Sequence, residues 1–101
     1  MPEIDLPLEV RSRYTRIRAL DDGRFVGLKR FMAHWRIHVL LDDGEVDDQW
    51  CFDSLNQAMS VFSTWDGAGE PPKWSRHPKT GRVRDPATGV IWNENAPPVE
   101  L

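Results

Sequence analysis

Apolar and polar residues alternate along two stretches of the chain, and the segment Leu-Asp-Asp-Gly interrupts each stretch, at 20–23 and again at 41–44. Alternation with a period of two is typical of strands that bury one face. Asp-Gly between two such strands predicts a β-hairpin with a two-residue type I′ turn, because that turn needs positive φ at both central residues. The pattern therefore predicts two antiparallel hairpins. A three-residue loop is rejected for the first, because it would mix apolar and polar side chains on each face.

The two-residue turns assign each strand residue to one of two faces of the sheet. In the first hairpin Leu20 then lies opposite Phe25. The apolar face of this hairpin carries Ile17, Ala19, Val26 and Leu28, and the opposite, basic face carries Arg16, Arg18 and Lys29 beside Leu20 and Phe25. The apolar face of the second hairpin holds four cross-strand pairs, which are Leu41 with Val46, Val39 with Asp48, Ile37 with Trp50 and Trp35 with Phe52. Asp48 is the polar exception, and we expect it at a margin of the sheet, where water reaches its carboxylate.

The apolar positions switch from even to odd residue numbers between the two hairpins. These positions are even at Val26 and Leu28 but odd at Ile37 and Val39. The sequence between them carries no turn signal. We therefore expect one residue to be absorbed by a β-bulge or a kink around 29–31, which would curve the sheet.

A single helix is predicted over 55–65. Ser54 with Gln57 three residues later matches a capping box, and Gly67 follows the last apolar position. Apolar residues recur at helical spacing, at Leu55, Ala58, Met59, Phe62 and Trp65. We expect this helix to cover the apolar face of the sheet.

The composition becomes richer in turn residues after Gly69. The turn-like segment 86–89 can join two short strands, at 82–84 and 90–92, into a small hairpin. The last stretch, 95–99, is expected to be an extended or disordered tail.

The chain has 101 residues, of which 40% are hydrophobic and 29% are charged, as is typical of one globular domain. We expect the α+β class, with an N-terminal arm (1–10), a β-β-β-β-α core (11–68) and a C-terminal extension of the same domain (69–101). Cys51 is the only cysteine, so no internal disulfide can form. No apolar run approaches the roughly 20 residues of a membrane span, and the acidic N-terminus is unlike a signal peptide. A cytoplasmic protein is therefore expected.

Charge is strongly segregated along the chain, although the net charge is only −3. The region 11–36 is net basic by six charges, 42–70 is net acidic by eight, and 73–84 is net basic by five. Two interpretations follow. Basic and acidic strands can lie side by side and neutralise each other, which we favour because opposite charges commonly pair across strands, or they can form a dipolar binding surface.

A tryptophan-rich segment near the middle of the chain carries a resemblance to a known group of proteins. Trp65-Asp66-Gly67 is followed by Trp74-Ser75-Arg76-His77-Pro78-Lys79-Thr80-Gly81-Arg82, after a strand that ends Trp50-Cys51. This pattern resembles one that recurs in small actinobacteriophage proteins, over roughly the C-terminal two-thirds of the chain. The sequence departs from that pattern after Arg84, where Asp85-Pro86-Ala87-Thr88-Gly89-Val90 replaces a more highly charged ending. The resemblance implies a phage product made inside a bacterium and implies no mechanism.

No residue constellation specifies an enzyme or a cofactor. His34 and His38 lie roughly 13 Å apart along an extended strand, too far to share one metal ion, and paired zinc motifs are absent. Cys51 lies within a strand without a histidine in sequence context, so a small strand residue is preferred over a nucleophile. The acidic pairs are accounted for by turn chemistry and by a solvated strand edge. We therefore expect no catalytic residues, no metal site and no cofactor.

Binding remains as the expected function. The side chains assigned to a partner-binding surface are Arg16, Arg18, Lys29, His34, Arg36, His38, Trp74 and Arg76. Trp74 and Trp92 either seal the core, which we favour, or remain exposed as anchors. The first hypothesis is a non-enzymatic module that binds a protein of the bacterial host. The alternatives are a nucleic-acid-binding protein that uses the basic face, which the net acidic charge disfavours, and a virion or self-assembling structural protein.

Overall fold

The computed structural model describes residues 6–93, which form one seven-stranded antiparallel sheet with two helices. The predicted α+β class and the antiparallel sheet are confirmed. Each strand pairs with the next one along the chain. The strands are β1 (Arg16–Ala19), β2 (Phe25–Phe31), β3 (His34–Leu40), β4 (Val46–Phe52), β5 (Arg76–His77), β6 (Arg82–Arg84) and β7 (Ile91–Asn93). The helices are α1 (Leu8–Arg11), which was not predicted, and α2 (Leu55–Thr64). The tail predicted at 95–99 lies outside the described residues.

Both Leu-Asp-Asp-Gly segments form three-residue loops, so the predicted two-residue turns are wrong. In the first, the Leu20 amide donates to the Arg24 carbonyl and Gly23 has a φ of 90°. The second loop has the same geometry, with Gly44 at a φ of 90°. The aspartate of each Asp-Gly pair explains the longer loop, because its carboxylate accepts the backbone N–H two residues ahead, as Asp22 does from Arg24 and Asp43 does from Glu45.

The longer first loop shifts the register of β1 by one residue. Arg18 lies opposite Val26, and Arg16 lies opposite Leu28. Both arginines are therefore on the same face as Val26 and Leu28, not on the opposite face as predicted, because a shift of one residue exchanges the two faces of a strand.

In the second hairpin, an irregularity in the pairing compensates for the longer loop. Leu40 pairs with Val46, and the register then shifts so that Val39 lies opposite Asp48. Asp47 is the extra residue in β4. The predicted pairing of Leu41 with Val46 is therefore wrong, whereas the residues farther from the loop keep their faces.

A tight turn between β2 and β3 explains why the apolar positions switch from even to odd residue numbers. Phe31 pairs with His34, so only Met32 and Ala33 lie between the strands. Residues that pair across a two-residue turn have opposite parity, and no bulge at 29–31 is needed. The prediction of a bulge is wrong. The turn gave no signal in the sequence because it contains no glycine, and Met32 itself takes the left-handed conformation, with a φ of 55°.

The main core lies between α2 and one face of β2, β3 and β4. The Ser54 side chain accepts the Gln57 amide at the N-terminus of α2. The helix buries Ala58, Val61 and Phe62 against the sheet. The other buried members of this core are Val26, Leu28, Ile37, Val39, Trp50, Phe52, Trp65 and Trp74. Neither helix among residues 6–93 has the length and apolar character of a membrane span.

The N-terminal segment covers one end of the opposite face. Leu6 is buried with Phe25 and Leu40, and the side chains of Val10, Tyr14 and Ile17 pack against them. Gly27 makes the close approach of Tyr14 possible, because a Cβ at this position would lie 2.6 Å from the tyrosine ring. Among residues 6–15, the Tyr14 ring marks the margin of this cover, with the Lys29 ammonium 5.8 Å from its centroid.

We predict that Gly27→Ala destabilises the domain by about 1–3 kcal/mol, because the added methyl group displaces the Tyr14 ring. The free energy of unfolding, measured with denaturant, checks the effect. In a Tyr14→Ala background the same substitution is expected to cost much less, since the ring is gone. An equal cost in both backgrounds would contradict the proposed contact.

Candidate functional site

The uncovered end of the sheet presents a surface that we call the open face, formed by Lys29, Phe31, His34, Arg36 and Arg76. Strand alternation places these residues together: Lys29 pairs with Arg36, Arg36 with Cys51, and Cys51 with Arg76. Phe31 and His34 are the residues on either side of the tight turn. The face lies opposite the one on which α2 packs, so α2 does not cover it.

A groove of about 410 Å³ lies at the C-terminal side of the open face. Its floor includes the buried Cys51, and the small strands β5 to β7 build one wall. Trp92 lines this wall and is 50% exposed, in contrast to the preferred expectation that it seals the core. The other lining residues are His34, Asp53, Ser75, Arg76, Val83, Arg84, Asp85 and Pro86.

Two cations of the open face lie directly opposite each other. Lys29 and Arg36 are cross-strand partners, an arrangement that is destabilising for like charges. Among residues 6–93 no carboxylate forms an ion pair with either of them. The Arg36 guanidinium carbon lies 3.8 Å from the centroid of the Phe31 ring, which gives a cation–π contact instead.

Two polar atoms of β3 are buried without a hydrogen-bond partner in the described part of the chain, one on His34, which lines the groove, and one on Arg36, which does not. These atoms are His34 Nε2 and Arg36 Nε. Burial lowers the pKa of His34, and the positive charges of Arg36 and Arg76 lower it further, against the opposing effect of Asp53. The imidazole is therefore neutral at neutral pH and lies in a positive potential.

Cys51 is unsuited to nucleophilic chemistry. Burial raises the pKa of its thiol, and this effect exceeds the opposing effect of the neighbouring Arg36 and Arg76 guanidinium groups. A thiol, not a thiolate, therefore lies at the floor of the groove. Within residues 6–93 no group of His, Cys, Asp and Glu side chains is arranged to hold a metal ion.

Part of the charge segregated along the sequence is paired elsewhere on the molecule. Arg82 pairs with Glu70, and Arg24 pairs with Asp22 and Asp47. These pairs follow the interpretation in which neighbouring basic and acidic segments neutralise each other. On the open face, neither Lys29 nor Arg36 belongs to an ion pair formed within residues 6–93.

A buried histidine ties the C-terminal strands to β4. His77 Nδ1 accepts the Thr80 amide, so Nε2 carries the proton and donates to Asp48 Oδ1 at 2.6 Å. The other oxygen of Asp48 accepts the Trp50 indole N–H. This network accounts for the one acidic residue on the apolar face, and it holds the strands that form the groove wall.

Arg18 has a structural role and does not belong to the open face. Its guanidinium donates to the carbonyls of Phe62 and Trp65, at the C-terminal end of α2. A cation at this end of a helix satisfies free carbonyls and interacts favourably with the helix dipole. Arg16 lies on the same face of β1 but is exposed at its edge.

We predict that Arg18→Met lowers the free energy of unfolding by about 1–3 kcal/mol, because two carbonyls at the end of α2 lose a charged donor. Arg16→Met is the matched control in the same strand, and its effect is expected below about 0.5 kcal/mol. Denaturant unfolding of both variants checks this. Equal effects of the two substitutions would show that the Arg18 contacts contribute nothing.

Two further residues expected on a partner-binding surface are inaccessible. His38 is buried beneath the N-terminal segment, and its Nδ1 lies 2.8 Å from the Tyr14 hydroxyl. Trp74 is 1% exposed and packs edge-on against Trp50, so it seals the core. The structure therefore brings Lys29, His34, Arg36 and Arg76 together, whereas Arg16 and Arg18 lie on the other face of the sheet and His38 and Trp74 are buried.

His38 makes stability depend on pH. Its burial, with the nearby charges of Lys29 and Arg36, lowers its pKa from 6.5 to about 4. The unfolded chain therefore binds a proton first as the pH falls. The stabilising contribution is complete above pH 6.5 and is lost between 6.5 and about 4.

We predict that the wild-type protein loses more stability between pH 7 and pH 4.5 than a His38→Gln variant does. The difference is expected to be at most about 3 kcal/mol, because His38 is still partly solvated and solvent screening reduces the effect of its pKa shift on stability. Urea unfolding at both pH values checks it. Parallel pH profiles for the two proteins would show that His38 is not the titrating group.

Phe31, Asp53 and Trp92 were not among the residues assigned to the site. Phe31 could have been found from the turn at Met32, but that turn carries no glycine. Comparison of the chain with family models, with curated proteins and with solved structures finds no match.

Proposed function

We propose that this chain is a non-enzymatic binding module that docks an acidic segment of a partner protein on its open face. One observation carries the proposal: Lys29 and Arg36 are cross-strand neighbours of like charge, with no carboxylate paired to either within residues 6–93. Such a pair is unfavourable in the free protein, and a bound carboxylate would relieve the repulsion.

The side chains around this pair are those that interfaces favour. Phe31 is 37% exposed and Trp92 is 50% exposed, and Arg36 and Arg76 lie between them in the sheet register. Aromatic residues and arginine are enriched at the centres of protein interfaces, where they contribute most of the binding energy. The resemblance to small actinobacteriophage proteins suggests that the partner is a bacterial host protein, met in the host cytoplasm.

Nucleic-acid binding is the second candidate, because exposed aromatic rings beside cations on an open sheet face can stack bases and contact phosphates. The net charge of −3 disfavours it, since most of the affinity for nucleic acid comes from concentrated positive charge. The two candidates differ in an observable way. A nucleic-acid complex would be lost on nuclease treatment and would weaken steeply with added salt.

We predict that Arg36→Glu abolishes partner capture and leaves the domain folded. The immobilised protein should retain one protein in stoichiometric amount from an actinobacterial lysate treated with nuclease, and the variant should lose it. Truncation of an arginine at the centre of an interface commonly costs about 2 kcal/mol or more of binding free energy, and charge reversal should cost at least as much.

Two controls make the result specific. Arg16→Glu reverses an exposed arginine on the other face of the sheet, and it should leave capture unchanged. Ile37→Asp, one position along the same strand, buries an unpaired charge in the core and should unfold the domain. Equal loss of capture with Arg16→Glu, or nuclease-sensitive capture, would contradict binding of a protein by the open face.

A further inference from the structure

The strand β1 lies at an edge of the sheet, and its outer side has no strand to pair with among residues 6–93. At the hairpin loop, Leu20 donates its amide to the Arg24 carbonyl. Residues that bond to the neighbouring strand alternate with residues that do not along an antiparallel ladder. Arg18 therefore directs its N–H and C=O groups toward β2, whereas Ile17 and Ala19 direct theirs away from the sheet.

A second groove, of about 300 Å³, lies between α1 and β1, and we call it the edge groove. Leu8, Tyr14 and Ile17 form its apolar part, and Leu8 is 71% exposed. Ile17 thus has its side chain in the edge groove and its backbone groups on the outer side of the strand. The side chain of an added strand that lies opposite Ile17 would therefore enter the edge groove, because paired residues of two strands point to the same face.

The chain around the edge groove is basic. Residues 6–19 contain four arginines and one acid, Glu9. Arg11 and Arg16 line the edge groove, and neither belongs to an ion pair formed within residues 6–93. An acidic strand is therefore attracted to this edge, whereas the β1 strand of a second copy, which carries the same arginines, is repelled.

We propose that the outer side of β1 is a site for strand addition, which takes an extended segment of a partner protein with alternating acidic and apolar residues. The residue opposite Ile17 is apolar and enters the edge groove. The next residue points to the other face of the sheet, where its carboxylate meets Arg16. In recognition of this kind, main-chain hydrogen bonds give affinity and side-chain pockets give specificity. The site is separate from the open face and does not depend on the function proposed above.

The test uses the full chain, labelled with ¹⁵N, and the peptide N-acetyl-Ser-Glu-Val-Glu-Val-Glu-Ser amide as the probe. We expect saturable shifts of the Ile17 and Ala19 amide signals during titration at constant ionic strength. Two analogues of the peptide test the chemistry of binding. Lysine in place of each glutamate should weaken binding at least tenfold, because it opposes the arginines. N-methylation of both valines should weaken binding at least tenfold as well, because it removes the peptide donors that face β1.

Variants of the chain separate the backbone contribution from the charge. Ala19→Pro removes an N–H that points away from the sheet, where an edge strand accepts proline, and it should weaken peptide binding at least fivefold. Ala19→Ser is its matched control and should leave the affinity unchanged. Arg16→Glu should weaken binding at least tenfold, whereas Arg36→Glu, which changes the net charge equally, should leave it unchanged. The comparison of the two arginine variants stands even where Ala19→Pro does not fold.

Several outcomes would overturn the strand-addition site. These are the absence of saturable shifts at Ile17 and Ala19, equal affinity for the probe and either analogue, or equal effects of Arg16→Glu and Arg36→Glu. A concentration-dependent dimer that Ala19→Pro abolishes, without peptide binding, would assign the edge to a second copy of this chain. This site and the open face fail separately, because peptide binding depends on Arg16 and partner capture depends on Arg36.

Discussion

The packing of α2 on one face of β2, β3 and β4 holds this domain together and leaves the other face of the same strands with little to cover it. Ile37, Phe52 and Ala58 are fully buried in that packing. Each large apolar side chain buried in this way contributes roughly 1.5–3 kcal/mol. A single ten-residue helix cannot cover both sides of a sheet, so the polar face must be covered by another segment or remain available to a partner.

Residues 6–15 cover only one end of the polar face. They place Tyr14 against Gly27 and bury His38, and Lys29 lies at their margin, with the ammonium 5.8 Å from the centroid of the Tyr14 ring. The boundary between the covered and the open region runs through β3, between His38 and Arg36. The pKa of His38, on the covered side, is lowered and its ring contacts Tyr14, whereas Arg36, two residues away, stacks on Phe31. The same strand thus contributes to stability at one end and to the candidate site at the other.

Much of this arrangement could be predicted from the sequence, and the failures have local causes. Alternation placed Ile37 and Trp50 on one face and Arg36 and Cys51 on the other, because period-two burial persists through β3 and β4. The hairpin loops were wrong, since Asp-Gly alone does not show that the aspartate before the glycine caps a longer loop. That one residue was enough to move Arg18 from the expected binding surface to the end of α2. The turn at Met32 was missed because it lacks glycine.

The candidate site could be predicted in its charge but not in its extent. Lys29, His34, Arg36 and Arg76 were selected from strand parity, and register brings these four together. The groove itself depends on β5 to β7, whose position on the sheet is set by His77, Asp48 and Thr80 through contacts between residues far apart in the sequence. Those contacts use a buried histidine and a half-exposed carboxylate to attach short strands that bury little apolar surface. This wall holds Trp92 outward at the groove, with half of its side chain exposed. Trp74, which packs in the core, points inward and is buried.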